Sequence, residues 1–184
     1  MKINNTQKPG GHRAKYVAYI GVFAALAIIM GWAERFAPIP IPGVRLGLGN
    51  GVVLLVLYLF GVKSAFGVML VKILVSGFLF GNPIGMAYSI AGGLTSFLVM
   101  VTLKHSNVFG IVGVSAAAAV VHNTTQIFVA AHMLQSFALM YYLPVLIIAG
   151  VIAGVLTGVL ALLALNRLAI AASHWVLSQT NHKT

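Results

Sequence analysis

The chain has 184 residues, 60% of them hydrophobic and 7% charged, with a mean hydropathy of +1.03. Soluble domains carry about 25% charged residues, so the composition excludes that class. Long apolar runs point to membrane helices rather than barrel strands, because a helix satisfies its own backbone in lipid. The net charge of +10 does not indicate nucleic acid, since the 11 Lys and Arg form no basic cluster. With no Cys, disulfide and thiol chemistry are excluded.

Residues 1–13 form a basic tail. Lys8, Arg13 and Lys15 precede an apolar run, as in a secretory signal. No small-x-small cleavage site follows, and the run is long enough to span, so it reads as an uncleaved first helix over 16–33. That helix ends at Glu34-Arg35, and a Pro/Gly loop covers 37–45. A short second helix over 46–61 stops at Gly61-Val62-Lys63. The third, over 64–81, is closed by Asn82-Pro83. The fourth, over 84–103, ends at Lys104-His105, and the fifth covers 108–131. The sixth, over 138–165, leads to Arg167 and a polar tail over 167–184. The fold class expected is an all-α integral membrane protein, a six-helix bundle over 14–166.

The charges test this division. Lys2, Lys8, Arg13, Lys15, Lys63, Lys104, Arg167 and Lys183, eight of the 11 Lys and Arg, fall on one side of it. The other side holds Arg35 and Arg45, both in the 1–2 loop. The positive-inside rule then places both termini in the cytoplasm and the chain in the cell membrane.

The remaining lysine, Lys72, falls mid-way along the third helix. Arg45 and Asn50 lie at the outer end of the second helix, and Asn82 at the outer mouth of the third. His122 is fourteen residues along the fifth helix, about 21 Å of rise, with Asn123, Thr125, Gln126 and then His132 beyond it. Tyr88, Tyr141 and Tyr142 also fall in the outer half. His122 and Gln126 are four apart and share a face. A central lysine costs about 2.5–3.5 kcal/mol on insertion scales, and Glu34 is the only acid in the chain. The expected ligand site therefore comprises Arg45, Asn50, Lys72, Asn82, Tyr88, His122, Asn123, Gln126 and His132, opening outward to an anionic group on an apolar body. Other roles stay open: Lys72 snorkelling to water, Asn123 bonding between helices, Arg45 paired with Glu34, and the tyrosines as an interfacial belt.

Two stripes of small residues mark packing faces. Gly150, Gly154 and Gly158 form overlapping GxxxG motifs in the sixth helix, suited to packing within the bundle. Ala14, Ala18, Gly21 and Ala25 flatten one side of the first, for either internal packing or a partner. Catalytic equipment is thin: one carboxylate cannot form an acid/base pair or a Mg²⁺ site, and His122 and His132 are ten apart, unlike a helical zinc pair. No GxxxxGK[ST] occurs, and GLGNG over 47–51 is not a dinucleotide fingerprint.

The runs PGVRLGLGNGVVLLVLYLFG (42–61), VKILVSGFLFGN (71–82), YSIAGGL (88–94) and VGVSAAAAVVHNTTQ (112–126) resemble the Gx transporter family. That family is often labelled heptaprenyl diphosphate synthase component I, and the likeness covers 14 to about 165. It is similar to the substrate-binding S-components of energy-coupling factor (ECF) importers, which are six-helix proteins. The resemblance implies ligand capture near the extracellular side with the 1–2 loop as lid. It also implies docking through Ala14, Ala18, Gly21 and Ala25 onto a T-subunit with two cytoplasmic ATPases. Catalysis is not expected of this chain: prenyl diphosphate chemistry uses aspartate-rich Mg²⁺ sites, and the chain has no aspartate. No intrinsic cofactor is expected. Haem is the first candidate ligand, with His122 or His132 as iron contacts, and a quinone or isoprenoid precursor the next. The rivals are a non-transporting scaffold subunit of a redox or prenyl-lipid complex, and a standalone permease.

Because the chain lacks cysteine, Lys8→Cys and Lys183→Cys each introduce a unique label. A membrane-impermeant maleimide should reach either one only in inside-out vesicles. Labelling in intact cells would overturn the cytoplasmic placement of that terminus.

Overall fold

The computed structural model describes residues 10–36, 47–80 and 83–181. Among them no strand occurs. The helices are α1 (Gly10–Ala33), α2 (Leu48–Phe60), α3 (Val62–Phe80), α4 (Pro83–Ser106), α5 (Ile111–Met133) and α6 (Leu143–Asn181), with 3-10 turns at Glu34–Phe36 and Phe137–Tyr142. Five stretches are long and apolar enough to cross a bilayer: Arg13–Ala33, Val62–Leu79, Gly85–Ser106, Ile111–Met133 and Phe137–Ala169. The chain is thus a multi-pass membrane protein. Side chains such as Val22, Leu98, Phe128 and Ile148 are more than 60% exposed, a belt of apolar surface that a soluble protein does not carry.

Two differences from the sequence reading concern element ends. α2 is a helix, as expected, but its 13 residues rise only about 20 Å, short of the ~30 Å hydrocarbon core. The sixth helix begins as a 3-10 turn and turns α-helical at Leu143. It then continues past Arg167 to Asn181, so the polar tail is helical over that stretch.

The helices are arranged around α2, which packs on α1, α3 and α6. α3 also meets α1 and α4, and α4 meets α5, which pairs extensively with α6. In α2 the six residues Val52, Val53, Leu54, Leu55, Val56 and Leu57 are all buried. A helix apolar on every side belongs inside a bundle, and α2 is the central element of this one. Around it the core collects Ala24 and Ala27 of α1, Ala65, Val68 and Met69 of α3, and Phe97 and Met100 of α4.

The α5–α6 seam is built on the α6 glycines. A Cβ on Gly154 would lie 2.6 Å from Cα of Ala116, and one on Gly158 would lie 2.8 Å from Cα of Val112. These distances are too short for any side chain, so the two backbones touch there. The hydroxyls of Ser115 and Thr157 bond across the same seam at 3.1 Å. The GxxxG motifs therefore serve internal packing, as expected of them.

The α1 stripe behaves oppositely. Ala14, Ala18, Gly21 and Ala25 are all exposed, and nothing lies within 4 Å of where a Gly21 Cβ would be. The face α1 turns to the bundle is instead Ile20, Phe23, Ala24, Ala27 and Met30. At about 100° per residue the small-residue stripe lies nearly opposite that face.

Gly154→Val should push α5 and α6 apart and destabilise the protein by roughly 1–3 kcal/mol, the usual penalty of overpacking. Gly21→Val should leave stability unchanged. Denaturant titration in detergent distinguishes the two; equal effects would contradict the packing assignment.

Candidate functional site

The polar groups gather at the ends of α2. Its N-terminal turn is entered through Gly47, whose φ of +75° lies in the left-handed region that glycine adopts without a Cβ penalty. The Gly47 carbonyl accepts from the N–H groups of Asn50 (2.8 Å) and Gly51 (2.9 Å). The first N–H of the helix, that of Leu48, donates to Oε1 of Glu34. The one acid in the chain thus places its charge on the positive end of the buried helix.

On the α3 side of the same turn, Nζ of Lys72 donates to Oδ1 of Asn50. Gly49 makes this geometry available. A Cβ there would sit 2.8 Å from the Ala27 carbonyl of α1, 3.4 Å from the Gly31 nitrogen and 3.4 Å from Cδ of Lys72. α1, α2 and the lysine stem therefore meet at a point where only a hydrogen fits. Two members of the expected ligand set, Lys72 and Asn50, are in direct contact. Glu34 meets the same turn at Leu48, 14 positions away in sequence and so beyond the reach of any local motif.

The far end of α2 is satisfied in the complementary way. Nζ of Lys104 donates to the Leu57 carbonyl at 2.6 Å and lies 4.9 Å from the centroid of the Tyr58 ring. The Ser64 hydroxyl donates to the Phe60 carbonyl at 3.2 Å and bonds the Tyr16 hydroxyl. Lys104, read from the sequence as a loop charge, belongs to the last turn of α4.

The histidine group occupies a different seam. His122 and Gln126 do share a face, and both meet α4 at Gly92: a Cβ there would lie 2.7 Å from Cγ of Gln126 and 3.2 Å from Nδ1 of His122. Nδ1 of His122 is 3.5 Å from the Ser96 hydroxyl, and the Thr95 hydroxyl donates to that of Thr125 at 3.0 Å. Asn123 points elsewhere. It is buried, its Nδ2 donates to the Leu146 carbonyl of α6 at 3.4 Å, and it lines the space beside Gly150. That contact matches the interhelical bonding role left open for it.

The expected single cluster is therefore divided among the α2–α3, α4–α5 and α5–α6 seams. Tyr88 is half-buried in α4 and His132 is exposed in the last turn of α5, while Tyr141 and Tyr142 are exposed in the 3-10 turn before α6. Arg45 and Asn82 lie outside the described residues. No group of three or more His, Cys, Asp or Glu suited to a metal ion occurs among the described residues. The contacts that the sequence does not mark, Glu34 on Leu48, Lys104 on Leu57 and Ser96 beside His122, all join residues more than a helix turn apart. The single hint was that an unmatched acid precedes a glycine-rich helix start.

The family described as heptaprenyl diphosphate synthase component I matches residues 23–164. The chain belongs to that family. Its name describes one component of a larger system, and the match runs from Phe23 in α1 to Ala164 in α6, taking in Glu34, Asn50, Lys72 and Lys104 around α2. Ala14, Ala18 and Gly21 precede the matched region. No curated protein and no solved structure gives a significant match to the chain.

Glu34→Ala removes the carboxylate from the start of α2 and should cost about 1 kcal/mol of stability, the common scale for a lost helix cap. Glu34→Gln keeps an acceptor and should cost less. Equal thermal midpoints for both variants and the parent, measured in one detergent, would contradict the capping role.

Proposed function

We propose that this component is the substrate-binding subunit of an ECF-type importer, with six spans and both termini cytoplasmic, capturing a small amphipathic anion from outside the cell. The observation that carries the reading is the turn at Asn50, where the ammonium of a mid-helix lysine, Lys72, is held inside the bundle beside the first turn of α2. An ionisable group at such a position marks a substrate site, and an ammonium suits an anionic ligand. The exposed stripe Ala14, Ala18, Gly21 and Ala25 supports docking on a T-subunit. The lack of a nucleotide motif suits a subunit whose energy comes from partner ATPases. Haem is the first candidate ligand, a quinone or isoprenoid precursor the second.

A scaffold subunit in a prenyl-lipid complex is the competing reading, favoured by the family description as a synthase component. Copurification separates the two: the importer subunit should carry a T-subunit and ATPases through mild detergent, and the scaffold should carry prenyl-transfer subunits instead. Gly21→Phe should weaken the first association without altering ligand affinity.

For the site, binding of hemin and of farnesyl diphosphate to purified protein should be compared with binding to Lys72→Ala. A charge-assisted hydrogen bond contributes about 1.5–3 kcal/mol, so loss of Lys72 should weaken the true ligand class by roughly tenfold or more. A Soret band on the protein as isolated would favour haem. Unchanged affinity for both probes would remove the anion site.

A further inference from the structure

The basic residues are scattered along the sequence, but the fold brings two of them to one place. The hydroxyls of Tyr16 in α1 and Ser64 in α3 are hydrogen-bonded, which joins the start of α1 to the start of α3. Arg13 precedes Tyr16 by nearly one turn, and Lys63 immediately precedes Ser64. Both side chains are exposed. Two other lysines at this end do not join them. Lys104 donates to the Leu57 carbonyl, and Lys15, two residues from Arg13, stands on the opposite side of α1 at about 100° per residue. No carboxylate is within reach of the pair. The one acid, Glu34, follows the far end of α1, about 30 Å of helix from Arg13.

Exposed apolar surface runs away from each base. On α1, Val17 lies four residues beyond Arg13 and is exposed. On α3, Gly67 and Val71 follow Lys63 at four-residue spacing and so share its face. Nothing lies within 4 Å of where a Gly67 Cβ would be, and Val71 is exposed. The α3 side chains flanking this row are already taken up, Ser64 by α1 and Phe66 by the Phe97 ring of α4. Tyr16 and Tyr19 are exposed beside Arg13, and tyrosines gather at the depth of lipid headgroups. In a chain with five apolar helices long enough to cross a bilayer, such a row meets lipid chains along its length and a headgroup at its basic end. Arg13 offers a fork of donors and Lys63 a point charge, a combination suited to phosphate.

We infer that the α1–α3 seam binds an anionic phospholipid, its phosphate between Arg13 and Lys63 and an acyl chain along Val17, Gly67 and Val71. The site is separate from the Asn50 turn and does not rest on the ligand proposed there.

The experiment uses the full chain in nanodiscs of phosphatidylcholine with a minor share of phosphatidylglycerol. Each lipid in turn carries a diazirine in its acyl chain, and the labelled residues are mapped after photolysis. Phosphatidylglycerol should label Val17, Gly67 or Val71 in preference to phosphatidylcholine, and unlabelled phosphatidylglycerol should compete this away. Arg13→Gln and Lys63→Gln should each weaken the preference about fivefold, the scale of one basic residue at an anionic surface. Lys15→Gln removes the same charge from the other side of α1 and should leave the preference unchanged. All three positions are exposed, so the fold should tolerate these variants.

Equal losses in the three variants would overturn the inference in favour of diffuse attraction between the basic end and the bilayer. Equal labelling by the two lipids would also overturn it. So would competition by free glycerol phosphate, which marks a site for a soluble anion. Binding of hemin or farnesyl diphosphate in the same nanodiscs should be the same in Arg13→Gln and Lys63→Gln as in the parent. Its loss in those variants would merge the seam with the ligand site and overturn their separation.

Discussion

The structure depends on burying a short helix whose two ends still carry unpaired backbone groups. α2 has 13 residues, six of them consecutively buried. The first N–H groups and last carbonyls of a helix have no partners within it and are satisfied from outside it. Glu34 supplies one at the N-terminus, and Lys104 and Ser64 supply two at the C-terminus. The signs follow the helix macrodipole: an acid at the positive end and a lysine at the negative end. In a chain with one acid, spending it here says that the N-terminus of α2 is where negative charge is most strongly favoured.

That constraint also shapes the neighbours. Glu34 can reach Leu48 because α1 ends in a 3-10 turn, and α1 lies close to α2 because Gly49 admits its backbone. The same glycine leaves room for the Lys72 stem. On the opposite flank, α5 and α6 are joined by glycine contacts and by polar groups that satisfy one another, with Asn123 on the Leu146 carbonyl and Ser115 on Thr157. One half of the bundle is thus a closed packing unit. The other half gathers charge at a helix end.

Much of the fold was legible in the sequence. Helix count and approximate limits followed from hydropathy and from Gly, Pro and basic breaks, and the α6 glycines announced a close seam. The face shared by His122 and Gln126 followed from their spacing alone. The division of the candidate residues among three seams did not. In a soluble bundle, hydrophobic periodicity marks the inward face. In lipid the outward face is equally apolar, so Asn123 and His122, adjacent in sequence, carry no mark of which neighbour each one meets. The same loss of contrast hid Lys104, whose position near a helix end read as topogenic charge while its ammonium caps a helix 47 positions away.

Sequence alone determined that this is a helical membrane protein, with one acid, one mid-helix lysine and two stripes of small residues, because length, apolarity and residue type are local properties. The tertiary structure decided which stripe is used internally and which is left facing outward, and that Lys72 meets Asn50 while Asn123 turns to α6. It also decided that the lone acid closes the start of α2. Those outcomes depend on the rotation of each helix about its axis and on which helices become neighbours, and a nearly uniform apolar sequence encodes neither locally.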